Sequence, residues 1–121
     1  MNQQQSKTVL VVDDELSVRQ LIRQYLEMTN YAVVEAKDGM NILRKIVDNH
    51  VDVVILDILM DNKEGMESII EIRDQYPDLP VIMISSDPNY LSLSETLGAT
   101  AIFCKPLNLP ELEAAIRKYL R

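Results

Sequence analysis

The segment V-D-V-V-I-L-D-I-L-M at residues 51–60 sets one carboxylate, Asp57, inside an otherwise apolar run. A lone aspartate among buried strand residues is costly unless it is paired, hydrogen-bonded or placed where the strand opens to solvent. Other apolar runs end on residues of complementary chemistry. Asp13, Asp14 and Glu15 follow the first, Ser85 and Ser86 close another, and Lys105-Pro106 follows the last. Brought together, three aspartates repel one another and partly neutralise unless a cation intervenes. A hard divalent ion resolves the conflict, and Mg²⁺, which keeps several waters and accepts one or two carboxylates plus phosphate oxygens, suits a small open acidic site. Lys105 adds a point charge for a transferred phosphoryl group, and Ser85 adds a donor for one of its oxygens. Asp57 then fits the missing nucleophile, because carboxylates form acyl-phosphate intermediates. Asp13 and Asp14 also suit the cap of a first helix, a role compatible with the other.

Whether these groups meet depends on the elements that carry them. Five Val- and Ile-rich runs read as strands: Thr8 to Val12, Tyr31 to Glu35, Val51 to Leu56, Val81 to Ile84 and Ala101 to Cys104. Between and after them, apolar residues recur at helical spacing. The stripes are Val18, Leu21, Ile22, Tyr25 and Leu26; Met40, Leu43, Ile46 and Val47; Met66, Ile69, Ile70 and Ile72; Tyr90, Leu93 and Leu97; and Leu112, Ala115, Ile116 and Leu120. Pro77 and Pro80 close the third helix, Asp87-Pro88 opens the fourth, Gly98 ends it, and Pro110 stands in a first turn. Near-continuous apolar strands alternating with helices imply a parallel sheet covered on both faces, a three-layer α/β fold. Ligands of such folds bind beyond the carboxyl ends of the strands, where strand order reverses, and those ends hold the residues named above.

The 121 residues suit one domain able to bury roughly two thirds of its unfolded surface. Residues 1–6 read as a disordered polar segment and 7–121 as the domain. A net charge of −7 without a basic cluster opposes direct nucleic-acid binding. The single cysteine, Cys104, excludes an intramolecular disulfide, fits a reducing compartment and reads as a core residue. No signal segment or membrane-length apolar run is present, so a cytoplasmic location is expected.

The motifs V-L-V-V-D-D-E at 9–15, D-I-L-M with Gly65 following, V-I-M-I-S-S at 81–86 and G-A-T-A-I-F-C-K-P at 98–106, in this order, make the chain resemble a response-regulator receiver domain over essentially its whole length. The resemblance implies a flavodoxin-like (βα)5 fold with strand order 2-1-3-4-5. It implies phosphoryl transfer to Asp57 from a phosphohistidine on a histidine kinase or histidine phosphotransfer protein. By the same resemblance Asp14, Asp57 and the backbone carbonyl of Leu59 ligate Mg²⁺, Asp13 acts through bound water, Lys105 pairs with the phosphoryl group, Ser85 is the switch hydroxyl, and the Lys105-Pro106 bond is cis. A downstream protein partner or fused output domain, and a homodimer through helix 4, strand 5 and helix 5, are further implications.

The sequence departs from that family in places. Ile102 stands at the switch position that is usually aromatic, and Phe103, one residue on, belongs to the opposite strand face. Asp61 replaces a common proline, and the stretch from Ser85 to Gly98 is short, which points to a truncated fourth helix or a tightened leading loop. Leu91 lies off the helix 4 stripe and could face a partner; Arg19 and Arg23 line the polar side of helix 1, which suits either docking or solvation. His50 has no companion ligand in the sequence. Leu59 cannot orient a water at the phosphoryl group whereas Asp87 could, so slow to moderate hydrolysis is expected.

Three functions fit unequally. A phosphorylatable receiver uses the full acid, hydroxyl and lysine set, changes its protein-binding surface on gaining charge, and is not an enzyme beyond self-phosphorylation and self-dephosphorylation. A degenerate receiver would act only as a protein-binding module, its switch disabled at Ile102. An enzyme on a similar fold lacks support, because no Gly-rich loop follows strand 1 and the chain has three glycines. No output segment follows the fifth helix, so output is expected through a partner.

Overall fold

The computed structural model describes residues 6–60 and 65–120, with all of their side chains except those of Leu91 and Ser94. The expectations for Asp61, for the Leu91 side chain and for residues 1–5 lie outside the described residues. Strands β1 (Thr8–Val12), β2 (Ala32–Ala36), β3 (Val53–Asp57), β4 (Val81–Ser85) and β5 (Ala101–Cys104) alternate with helices α1 (Leu16–Met28), α2 (Ile42–Asp48), α3 (Gly65–Gln75), α4 (Pro88–Thr96) and α5 (Leu109–Tyr119). The strands form one sheet, parallel as the apolar runs predict and in the order β2-β1-β3-β4-β5 that the family resemblance implies.

Strand alternation divides the core into two layers. Val9 and Val11 of β1, Val53 and Ile55 of β3, and Ile82 and Ile84 of β4 pack with Ile22 and Leu26 of α1 and with Leu112 and Ile116 of α5. Their neighbours Leu10, Val12, Val54, Leu56, Val81 and Met83 pack with Ile42 and Ile46 of α2 and with Ile69 and Ile72 of α3. Ile102 joins this second layer while Phe103 joins the first, so the two do lie on opposite faces.

Helical periodicity locates each stripe but not its edges. Leu21, Met40, Val47, Ile70, Tyr90 and Leu93 were expected inside and are exposed. A helix resting on a sheet buries only the centre of its apolar stripe, so flanking residues stay wet. The discrepancy is largest in α4, which packs against β4 and the edge strand β5 and sends only Leu97 of its expected stripe into the core. The same edge position leaves Cys104 exposed, against its reading as core.

Three helices end on a left-handed residue: Asn30 (φ 75°) after α1, His50 (φ 50°) after α2 and Gly98 (φ 104°) after α4. After α2, the His50 N–H donates to the Val47 carbonyl and the Val51 N–H to the Ile46 carbonyl, the paired bonds of a Schellman motif. That is the structural role of His50. At the amino edge of the sheet, Arg73 of α3 donates to the carbonyls of Gly98 (2.8 Å), Tyr76 (3.1 Å) and Leu79 (2.6 Å) and to Thr100 Oγ1 (3.1 Å). One guanidinium thus ties the α3–β4 and α4–β5 connections together.

Candidate functional site

The β1–β3 register sets Val12 opposite Leu56, so Asp13 and Asp57 emerge side by side where the order of strands reverses. The chain leaves β1 through an Asx turn in which Asp13 Oδ1 accepts the Glu15 N–H at 2.9 Å. Helix α1 is capped by Glu15, whose side chain makes no capping bond, so neither Asp13 nor Asp14 takes the helix-cap role their types suggest. Arg19 of α1 secures this turn by donating to the Asp13 carbonyl at 2.6 Å and to Glu35 Oε1 at 3.0 Å. Arg23 adds a 2.7 Å bond to Glu35 Oε2, so both arginines anchor α1 to β2 rather than form a free polar face.

At the end of β3, Gly65 presses on the Asp57 backbone. Its N–H donates to the Ile58 carbonyl at 2.8 Å, and a Cβ there would strike the Asp57 carbonyl oxygen and stand 2.8 Å from Ile58 Cα. Only glycine permits that approach. The Leu59 N–H donates to the Asp57 carboxylate, and the Leu59 side chain is exposed.

Asp13, Asp14 and Asp57 each offer an oxygen, and the three lie within 4.8 Å of one another. Asp13 and Asp57 are buried, Asp14 half-buried. Lys105, following β5, brings Nζ to 2.9 Å from Asp13 Oδ2, 3.2 Å from Glu15 Oε1 and 3.3 Å from Asp57 Oδ2. Burial above all, and then the Asp13 charge, push the Asp57 carboxyl up to about 7 despite the opposing pull of Lys105. Burial disfavours the Lys105 ammonium too, but the surrounding carboxylates, Asp13 first, outweigh it and raise the lysine above its usual value. Among the described residues, the one ammonium of Lys105 faces Asp13, Asp57 and Glu15, more negative charge than it can balance. Asp13 Oδ2 reflects this, being buried without a partner in hydrogen-bonding geometry although Lys105 lies close. Hard carboxylate oxygens and a residual negative charge fit a hard divalent cation.

Ser85 is buried at the end of β4, opposite Cys104, and its carbonyl accepts the Lys105 N–H at 2.8 Å. Its hydroxyl oxygen accepts the Asp87 N–H at 3.0 Å, and Asp87 Oδ1 in turn accepts the Asn89 N–H at the start of α4. Asp87 is thereby engaged in starting α4, which weakens its case as a water-orienting group. The Lys105-Pro106 bond is cis. The reach of Glu15 to Lys105 and the bracing of Asp13 by Arg19 carry no signal in the sequence beyond the place of Glu15 directly after the two aspartates.

Residues 9–117 match the family model of the response regulator receiver domain. The chain is 36% identical over 118 residues to the response regulator MprA of Mycobacterium sp., covering 93% of this chain and 50% of MprA. It spans about half the length of the curated relatives it matches. The chemotaxis protein CheY4 of Vibrio cholerae superposes with a TM-score of 0.86 at 31% identity, over 95% of this chain and 99% of CheY4. The response regulator TrrA of Thermotoga maritima, in complex with Mg(2+)-BeF, gives a TM-score of 0.86 at 33% identity, over 94% of this chain and 99% of TrrA.

Proposed function

The chain belongs to the response regulator receiver domain family of two-component signalling, and from that premise we propose that Asp57 is a phosphoacceptor served by a phosphohistidine on a partner kinase or phosphotransfer protein. An Asp57 carboxylate oxygen bonds to phosphorus while the phosphorus–nitrogen bond breaks, its electron pair returning to the imidazole. The observation that carries this is the placement of Lys105 Nζ 3.3 Å from Asp57 Oδ2 beside three clustered aspartates.

Mg²⁺ would be held by Asp14, Asp57 and the Leu59 carbonyl, with Asp13 acting through water, and when bound it supplies positive charge to phosphoryl oxygens. The chain's own residues do the rest. Strand β3 and Gly65 fix the direction of the Asp57 side chain, and Lys105 neutralises charge developing on the phosphoryl group. Ser85, next to the Lys105 backbone, is the hydroxyl that exchanges its bond to the Asp87 N–H for one to the phosphoryl group. That exchange couples Asp57 to the start of α4 and so alters the surface offered to a partner. Ile102, half-buried in the second core layer, takes the place of an aromatic switch. Turnover concerns the chain's own Asp57, not an external metabolite.

The test is intact mass after incubation with Mg²⁺ and acetyl phosphate, for the native chain and for Asp57→Ala, followed by transfer from a phosphorylated histidine kinase. Gain of one phosphoryl group by the native chain alone supports the proposal. Absence of gain from either donor, with no Mg²⁺ binding, refutes it in favour of a phosphorylation-independent binding module.

A further inference from the structure

We infer that Glu15 is a counter-ion gate on Lys105, which gives up its contact when a phosphoryl group arrives and whose charge selects among phosphodonors. The inference rests on the phosphoacceptor reading of Asp57 and deepens it. A lysine ammonium has three protons to donate. Here three carboxylate oxygens surround it, from Asp13 at 2.9 Å, Glu15 at 3.2 Å and Asp57 at 3.3 Å. Glu15 Oε1 and Asp57 Oδ2 accept its hydrogen bonds while Asp13 Oδ2 is close but not aligned, so a phosphoryl oxygen approaching Lys105 competes with these charge contacts.

The three differ in what release would entail. The Asp13 side chain is 0% exposed and that of Asp57 6%, so water could not replace their lost contact. The Glu15 side chain is 60% exposed, and its carboxylate can swing into solvent. The backbone need not follow, because the Glu15 N–H is held by Asp13 Oδ1 and its carbonyl by the Arg19 N–H. Glu15 is also the cap residue of α1, yet its side chain makes no capping bond and instead crosses to a residue 90 positions away. The gate is therefore a side-chain rotation on a fixed hinge, a motion on the ps–ns timescale.

Glu15 also adds negative charge to the mouth of a site that already holds Asp13, Asp14 and Asp57. An anionic donor approaching Asp57 meets that charge, and a doubly charged donor meets twice the repulsion of a singly charged one. Neutralising Glu15 therefore helps acetyl phosphate more than phosphoramidate. In both reactions an Asp57 oxygen bonds to phosphorus as the bond to the leaving group breaks, the pair departing with acetate or with nitrogen, which leaves as ammonia.

The experiment measures phosphorylation rates of the native chain, Glu15→Gln and Glu15→Ala with each donor at saturating Mg²⁺, in low and high salt, by intact mass. At low salt both variants should react with acetyl phosphate about three- to tenfold faster than the native chain, with a smaller gain for phosphoramidate, and the difference should shrink as salt screens the mouth. A merely structural effect of the substitutions would move both donors equally and without salt dependence. Native phosphorylation accompanied by an unchanged donor ratio overturns the role of Glu15 alone. Absence of native phosphorylation overturns the phosphoacceptor reading and this inference with it.

Discussion

Gly65→Ala tests whether Asp57, the proposed phosphoacceptor, is positioned by backbone contact. The added Cβ would stand 2.8 Å from Ile58 Cα and 3.0 Å from the Asp57 carbonyl carbon, where ordinary contact begins at 3.4 Å. These atoms and the still closer Asp57 carbonyl oxygen are main chain, so relief requires the end of β3 or the start of α3 to move by about 1 Å. Overpacking of that kind destabilises by about 1–3 kcal/mol. For 121 residues the unfolding entropy near the midpoint is about 0.25 kcal/mol/K, so a loss of about 2 kcal/mol lowers Tm by about 8 °C. The shift also moves the Asp57 carboxylate relative to Lys105 and the other aspartates. Since a misplacement of about 1 Å can slow a positioned reaction about a hundredfold, phosphorylation by acetyl phosphate should fall about tenfold or more. Circular-dichroism melts and a time course of intact mass measure the two effects. Gly98→Ala provides the control, because its φ of 104° makes alanine strained there while the residue lies at the opposite end of the sheet. It should lose stability yet, while folded, react at the native rate. A Gly65→Ala chain that melts within about 2 °C of the native and reacts within about twofold would refute the positioning by contact.

The remaining predictions concern the scaffold. Arg73→Met keeps the aliphatic stem but removes donors to three carbonyls and Thr100, so urea melts should show a loss of about 2–4 kcal/mol; a loss under about 1 kcal/mol would mean that water replaces the guanidinium without penalty. Glu35 is held below its ordinary carboxylate value, chiefly by its bond to Arg23 and also by Arg19, against a contrary effect of burial. A folded-state value depressed in this way contributes stability above the unfolded value, and the contribution disappears as pH falls through the folded one. Glu35→Gln should therefore lower stability by about 1 kcal/mol at pH 7, with the gap closing below about pH 4.5; a gap constant across urea melts from pH 7 to pH 3 would contradict the ion-pair origin.

The succession of strands and helices and the members of the candidate site are legible in the residues alone. The near-continuous apolar runs of β1, β3 and β4 and the proline and glycine punctuation are local signals, so a five-fold strand–helix repeat is legible in them. Once that repeat is recognised, Asp13, Asp14, Asp57, Ser85 and Lys105 must fall at one edge of the sheet, and they do. The limits of β1 and β5 coincide with the expected runs, whereas those of β2, β3 and β4 differ by a residue or two, because the end of hydrogen bonding depends on the partner strand. Tertiary structure alone decided which flank of each helix is wet. Leu21 and Ile22 are adjacent and equally apolar, yet the first is 55% exposed and the second 0%, since burial depends on the sheet beneath and not on residue type. It also decided that Cys104, on an edge strand, faces solvent and that Asp13 closes an Asx turn rather than capping α1. The reach of Glu15 to Lys105 and of Arg73 to Gly98 spans 90 and 25 residues respectively. Long polar side chains carry no periodicity that names their partners, so such contacts become visible only when packing brings distant backbone together.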